Sequence, residues 1–189
     1  METFATAFAD DEDLQTMYYD VLNVLVISGP DRVGKSQLLS QFIDQNTSPL
    51  TLSYVYVATI GVDFRTRSIC SNNRHVRLQI WDLGGQPRFR AIGKSYLCGA
   101  RGVAIVFDVM TNALSLESVA EFYSDLRDDC CVVIVGNKCM SPGREVPFEV
   151  GESYARTRGA RYFETDVVND PASVERMFHY LVRISVNKC

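Results

Sequence analysis

Branched apolar runs and helical stripes alternate along the chain. Val21 to Ile27 is a short apolar run that ends at Ser28-Gly29, the pattern of a buried strand entering a glycine loop. Helix propensity then rises from Lys35 to Asp44. Residues 46–58 are polar and carry Pro49, which predicts a long loop. Val62 to Cys70 and His75 to Asp82 read as two strands joined by a turn at Ser71-Asn72-Asn73. In the second of these, Val76, Leu78 and Ile80 alternate with Arg77, Gln79 and Trp81, so Trp81 falls on the polar face. Val103 to Asp108 and Cys131 to Gly136 are two more buried strands, and Arg161 to Glu164 is a short one. Leu116, Val119, Tyr123 and Leu126 recur at helical spacing, and Phe148 to Arg158 also reads as a helix. Asp170 is a suitable N-cap with Pro171 at the first helical position, and Val174, Met177, Phe178 and Leu181 make the stripe of the last helix.

This order predicts a three-layer α/β fold. Its sheet is doubly wound, six-stranded and mostly parallel, with one antiparallel hairpin strand. Ligands of such sheets bind beyond the carboxyl ends of the strands. The expected division is an acidic N-terminal tail over 1–20, one domain over 21–186 and a short C-terminal tail over 187–189. At 189 residues, 47% hydrophobic and 22% charged, the composition supports one core. A net charge of −4 lacks the basic excess of a nucleic-acid binder, so no nucleic-acid partner is expected. The six cysteines form no C-x-x-C pair and only two histidines are present, which leaves a zinc site little to draw on. Free thiols in a reducing, cytoplasmic setting are the expectation. No apolar run is long enough to span a bilayer.

The chemistry begins at Gly29-Pro30-Asp31-Arg32-Val33-Gly34-Lys35-Ser36, which matches G-x-x-x-x-G-K-[ST] between a strand and a helix. Gly29 and Gly34 let the backbone curl so that successive N–H groups face phosphate oxygens. Lys35 supplies a point charge to the β- and γ-phosphates, Ser36 a hydroxyl to Mg²⁺, and the helix start a partial positive charge. Pattern and composition alone stop at a phosphate-loop α/β domain.

Four further segments resemble the Rab family of small GTPases: Ala58 to Phe64, Val76 to Phe89, Ser95 to Ala100 and Val135 to Cys139. They fall in family order and extend the resemblance over roughly Val21 to Ile184. The resemblance implies GTP and GDP as ligands, Mg²⁺ as cofactor, and effector and regulator proteins as partners. By it, Thr59 binds Mg²⁺ and the γ-phosphate and Asp82 holds Mg²⁺ through water. Gly85 offers its N–H to the γ-phosphate, and Gln86 orients the attacking water. The catalytic set is then Gln86, Lys35 and Thr59, and Gln37, which follows Ser36, is counted with the nucleotide-binding residues. Phe64, Trp81 and Tyr96 match the aromatic triad that Rab proteins show to effectors; a core role for Trp81 is the alternative.

The departures from the family are equally specific. Asn137 and Lys138 match the start of the guanine-recognition motif N-K-x-D, but Met140 stands where the aspartate belongs. Two charge-assisted hydrogen bonds to guanine are lost, each worth about 1.5–3 kcal/mol, which predicts weaker binding by roughly two to four powers of ten and relaxed base choice. In the second base motif Glu164-Thr165 is followed by Asp166, Val167 and Val168 in place of S-A-K. The Val167 N–H is expected to reach the guanine oxygen, and Asp166 is the candidate replacement for the missing acid. Rab proteins usually carry small residues where Asp31 and Arg32 stand. Asp31 is expected to repel the γ-phosphate, while Arg32 either offsets that charge or faces solvent. Asp82 to Gln86, DLGGQ, resembles the Arf pattern, and Pro87 is expected to stiffen the second switch. The loop between Gln45 and Thr59 is longer than the family norm. The final Cys189 is no C-a-a-X box, so membrane contact is expected only through partners or a prenylated tail that the sequence lacks.

The leading expectation is therefore an atypical Rab-like GTPase, slow in hydrolysis, cytoplasmic and at most peripheral on endomembranes, acting in vesicle traffic. A pseudo-GTPase binding module is the alternative, and a phosphate-loop kinase or ATPase fails on the switch motifs.

Overall fold

The apolar runs become the inner strands of one sheet. The computed structural model describes residues 19–44, 58–111 and 116–187. The acidic cluster Asp10 to Asp13, the loop over 45–57, residues 112–115 and Cys189 lie outside the described residues. The elements are β1 (Val21–Ser28), α1 (Lys35–Asp44), β2 (Val62–Ser71), β3 (Arg74–Leu83), a 3₁₀ turn (Pro87–Phe89), α2 (Arg90–Gly99), β4 (Gly102–Asp108), α3 (Val119–Tyr123), β5 (Cys131–Asn137), α4 (Phe148–Arg156), β6 (Arg161–Thr165) and α5 (Pro171–Asn187). The six strands lie in the order β2-β3-β1-β4-β5-β6. Only β2 and β3 pair antiparallel, and the other pairs are parallel. The predicted doubly wound sheet with one hairpin is the observed architecture. Asn72 and Asn73 make the hairpin turn with φ of 52° and 58°, a left-handed conformation that asparagine tolerates.

A core lies on each face of the sheet. On one face Leu25, Ile27, Leu78 and Ile80 meet Leu38 and Phe42 of α1 and Val174, Met177, Phe178 and Leu181 of α5. On the other, Val26, Val103, Ile105, Phe107 and Ile134 meet Leu97, Val119, Phe122 and Ala155 from α2, α3 and α4. Full burial of β4 on both faces explains its unbroken apolar run. Asp20, at the end of the expected tail, is tied to the hairpin: its carboxylate accepts the His75 N–H at 2.8 Å.

Two elements differ from the sequence reading. The expected helix around Leu116 to Leu126 is interrupted: Leu116 and Glu117 are helical, Ser118 is a turn, and Val119–Tyr123 forms the next helical stretch. Helix α2 was not anticipated. Only Gly93 and Leu97 of its ten residues are buried, too little for an apolar stripe.

Phe42 fastens the far end of α1, and so the helix that starts at the phosphate loop. It is fully buried and its ring stacks on Phe178 with centroids 4.2 Å apart. The Arg67 guanidinium lies 4.1 Å over the same ring and also donates to the Phe42 carbonyl. Replacing Phe42 by Ala is expected to lower stability by about 3–5 kcal/mol in urea unfolding; a loss under about 1 kcal/mol would contradict this packing.

Candidate functional site

Among the described residues, the polar candidates for nucleotide and metal binding gather at the carboxyl ends of the strands and in the loops that follow them. β1 ends in Ser28, β3 carries Asp82, β4 ends in Asp108, β5 in Asn137 and β6 in Thr165. The register places Ile27 beside Asp82, Asp108 beside Asn137 and Asn137 beside Thr165.

Between β1 and α1 the loop curls as its glycines require. Gly29 and Gly34 adopt φ of 136° and 94°. A side chain at Gly34 would collide with the Asn137 amide, so this glycine also allows the loop to seat on β5. Lys35 is 6% exposed, and its ammonium donates to the carbonyls of Pro30 at 2.6 Å and Gly29 at 3.0 Å. Burial pulls its pKa down to about 8, against the attraction of Asp82 and Asp31. The ammonium is thus short of anionic partners, and a bound phosphate would relieve it. No acid occupies the first turn of α1, which leaves the partial positive charge of the helix start for an anion. Val33 is buried, whereas Gln37 is exposed on α1.

Beside the ammonium stands a group of three oxygens from three elements. The Ser36 hydroxyl donates to Asp82 Oδ2, and Thr59 Oγ1 lies 2.9 Å from Ser36 Oγ and 3.4 Å from Asp82 Oδ2. Asp82 is 1% exposed, and its Oδ1 has no partner among the described residues. Burial raises its pKa, against the hydrogen bond from Ser36 and the charge of Lys35. A buried carboxylate with an orphaned oxygen and two converging hydroxyls fits a small hard cation.

Gly84 and Gly85 carry the chain from β3 back over this loop. The Gly84 N–H donates to the Gly61 carbonyl at 2.8 Å. A Cβ on Gly85 would strike the Pro30 carbonyl, and it would lie 2.5 Å from the Asp31 nitrogen. The segments holding Thr59 and Gln86 are therefore both drawn onto the phosphate loop. Gln86 is half-buried and precedes the 3₁₀ turn, with Pro87 at its start. Asp31 and Arg32 pair at 3.9 Å with the Arg32 side chain 76% exposed, so this arginine both meets the charge and faces solvent.

The base-side residues form a second group. Asn137 is buried; its amide donates to the Val33 carbonyl at 2.8 Å and its oxygen accepts the Thr165 hydroxyl at 3.0 Å. Lys138 donates to Asp108 Oδ2 at 2.6 Å and to the Arg32 carbonyl at 3.2 Å. Both Lys138 and Arg32 have φ of 64°, so two strained residues meet where the loops join. The Met140 side chain is exposed. The Val167 side chain is buried in the core, and its loop lies next to Met140. The Asp166 carboxylate, expected to face a base, is instead buried and taken up by backbone N–H groups.

Phe64, Trp81 and Tyr96 come together away from these loops. Phe64 and Trp81 are cross-strand partners with centroids 4.4 Å apart, and Tyr96 of α2 lies 4.7 Å from Trp81. Trp81 is half-buried against the second core, so its polar-face parity and its core contact both hold.

Sequence reasoning passed over Pro30, Asp108 and Thr165. Asp108 carried a signal: an acid closing an apolar strand at the ligand end of a doubly wound sheet. Thr165 and the Pro30 carbonyl act through contacts that no spacing reveals.

The chain matches the Ras family model over residues 24–187. It is 38% identical over 167 residues to the Ras-related protein RABD2a of Arabidopsis thaliana, covering 85% of this chain and 78% of that protein. With the Ras-related protein Rab-13 of Bos taurus the identity is 33% over 170 residues, covering 87% and 80%. With the GTP-binding protein ypt2 of Schizosaccharomyces pombe it is 33% over 175 residues, covering 90% and 84%. The chain belongs to the Ras family of small GTPases, with Rab proteins among its relatives.

Proposed function

We propose that this GTP hydrolase is an atypical Rab-like switch with a sound phosphate grip and a weakened base grip. The observation that carries the reading is the convergence of Ser36, Thr59 and Asp82 beside the buried Lys35. Ser36, Thr59 and Asp82 would hold Mg²⁺, which when bound neutralises phosphate charge. Lys35 and the backbone N–H groups of the loop grip the β- and γ-phosphates. Gln86 orients water for hydrolysis, and Gly85 approaches the loop closely enough to sense the γ-phosphate. Loss of that phosphate releases Thr59 and Gly85 together, which changes the surface of Phe64, Trp81 and Tyr96 that an effector reads. Relatedness to Rab proteins supports a role in vesicle traffic, with peripheral contact to membranes.

Base recognition is the weak point. Met140 offers no carboxylate, and among the described residues the nearest acid, Asp166, is turned onto the backbone. Guanine therefore keeps the Val167 N–H and the stem of Lys138 but loses two charge-assisted bonds. The nucleotide that copurifies is expected to be GDP or GTP held loosely, with faster release once Mg²⁺ is chelated. Changing Met140 to Asp is expected to tighten GDP by roughly 100-fold or more and leave ATP affinity alone, read by calorimetry. Native affinity that is already nanomolar and confined to guanine would overturn the weakened-base reading. No bound nucleotide of any kind would favour the pseudo-GTPase.

Hydrolysis is expected to be slow because Asp31 lies in the loop beside the bound γ-phosphate. Its carboxylate is about one-third exposed, and its partner Arg32 is too exposed for its charge to cancel it fully. Asp31→Gly should raise single-turnover GTP hydrolysis by about tenfold, measured as phosphate release at saturating Mg²⁺. An unchanged rate would remove Asp31 as the cause.

A further inference from the structure

We propose that Asp166 is a positioning residue for the nucleotide base: a buried carboxylate that clasps the loop after β5 to the loop after β6. The proposal rests on the nucleotide site described above.

Asp166 is 3% exposed, and among the described residues no cation pairs with it at ion-pair distance. A buried carboxylate is costly unless hydrogen bonds replace its water. Here four N–H donors do so. Oδ1 accepts from the Val168 N–H at 3.1 Å, the Asn169 N–H at 2.8 Å and the Asn169 side-chain amide at 3.1 Å. These bonds are local and shape the turn after β6. Oδ2 accepts from the Met140 N–H at 3.2 Å, across 26 positions of sequence. One oxygen thus builds one loop, and the other reaches across to the second.

The clasp has a firm base. The Asp166 N–H donates to the Ser173 hydroxyl at 3.1 Å, and its carbonyl accepts the Asp170 N–H at 3.0 Å. Both partners belong to the start of α5, where Ser173 is buried. The loop that it holds is less secure. Met140 and residues 142–145 are exposed, and Lys138 enters the loop in a left-handed conformation. Besides the clasp, the Cys139 N–H donates to the Thr165 carbonyl at 3.3 Å, and Arg144, further along the stretch, pairs with Glu164 of β6. Oδ2 is the β6-side contact that reaches the Met140 N–H itself.

The same geometry keeps the carboxylate from the base. Oδ1 already serves three donors, and the residue has almost no accessible surface. Asp166 supports base binding through Met140 and Val168, whose side chains are 59% and 56% exposed on either side of the clasp. Asparagine is the discriminating replacement. Its oxygen suits the three donors at Oδ1, but its amide then opposes the Met140 N–H. The turn survives and the clasp alone is cut.

The experiment compares the full chain with Asp166→Asn for GDP, IDP, ADP and inorganic tripolyphosphate, at fixed Mg²⁺. The three nucleotides are expected to weaken by a common factor of about tenfold, with tripolyphosphate unchanged. A changed ratio among GDP, IDP and ADP would mean that Asp166 touches the base and would overturn the proposal. Equal loss of tripolyphosphate would show general damage and overturn it too, as would unchanged affinities. Amide hydrogen exchange on the native chain gives a second reading should the variant not fold: the Met140 amide is expected to be protected, and free exchange there would sink the clasp. If the native chain binds tripolyphosphate but none of the nucleotides, the nucleotide reading fails and this proposal with it.

Discussion

The carboxamide of Asn137 is the contact on which the site's geometry turns. It is buried at the end of β5, and it reaches the phosphate loop through the Val33 carbonyl and β6 through the Thr165 hydroxyl. Three loops that are far apart in sequence thereby share one buried side chain. A planar amide suits this position because it carries donors on one side and an acceptor on the other. Gly34 answers the same constraint from the opposite direction, since any side chain there would occupy the space of the amide. The close seating of the phosphate loop on β5 follows from this pair. So does the meeting of Lys138 with the Arg32 carbonyl, which brings together two residues in left-handed conformations. Strain at two adjoining positions persists only where surrounding contacts over-determine the backbone, and Asn137 supplies several of them.

On that frame the charges are arranged for a ligand. Lys35 is buried against carbonyl oxygens with its pKa lowered by desolvation, and Asp82 is buried nearby with its pKa raised by the same cause. Each charged group carries a desolvation cost that the other offsets only in part. Phosphate oxygens and a hard cation placed between them would satisfy both at once. The fold thus holds two charges whose costs fall when the ligand enters, which favours binding without any further rearrangement of β1 or β3.

Much of this was legible in the sequence. The strands showed because β1, β4 and β5 are nearly all apolar, and α5 because its stripe and its Asp170-Pro171 start agree. The phosphate loop showed because its glycines, Lys35 and Ser36 have a fixed spacing imposed by the backbone path. Helix α2 was hidden, since it buries only Gly93 and Leu97 and leaves no periodic stripe. The role of Asp166 was hidden for a different reason. A carboxylate in a loop reads alike whether it faces a base, solvent or the backbone, and only the direction of its two oxygens separates these cases. Asp108 and Thr165 share that difficulty: their partners, Lys138 and Asn137, are set by register between neighbouring strands.

The two halves of the site differ in how much ligand chemistry they supply themselves. On the phosphate side the protein presents its ligand groups directly: an anion gains from Lys35 and the helix start, and a hard cation from the oxygens of Ser36, Thr59 and Asp82. On the base side Met140 presents no carboxylate, and the carboxylate of Asp166 meets the main chain. Met140 and Asp166 are linked, because the N–H of one is the partner of the carboxylate of the other. The proposed weakening of the base grip and the proposed clasp are therefore two sides of one local arrangement: a carboxylate that does not face the nucleotide holds together the loops on either side of it.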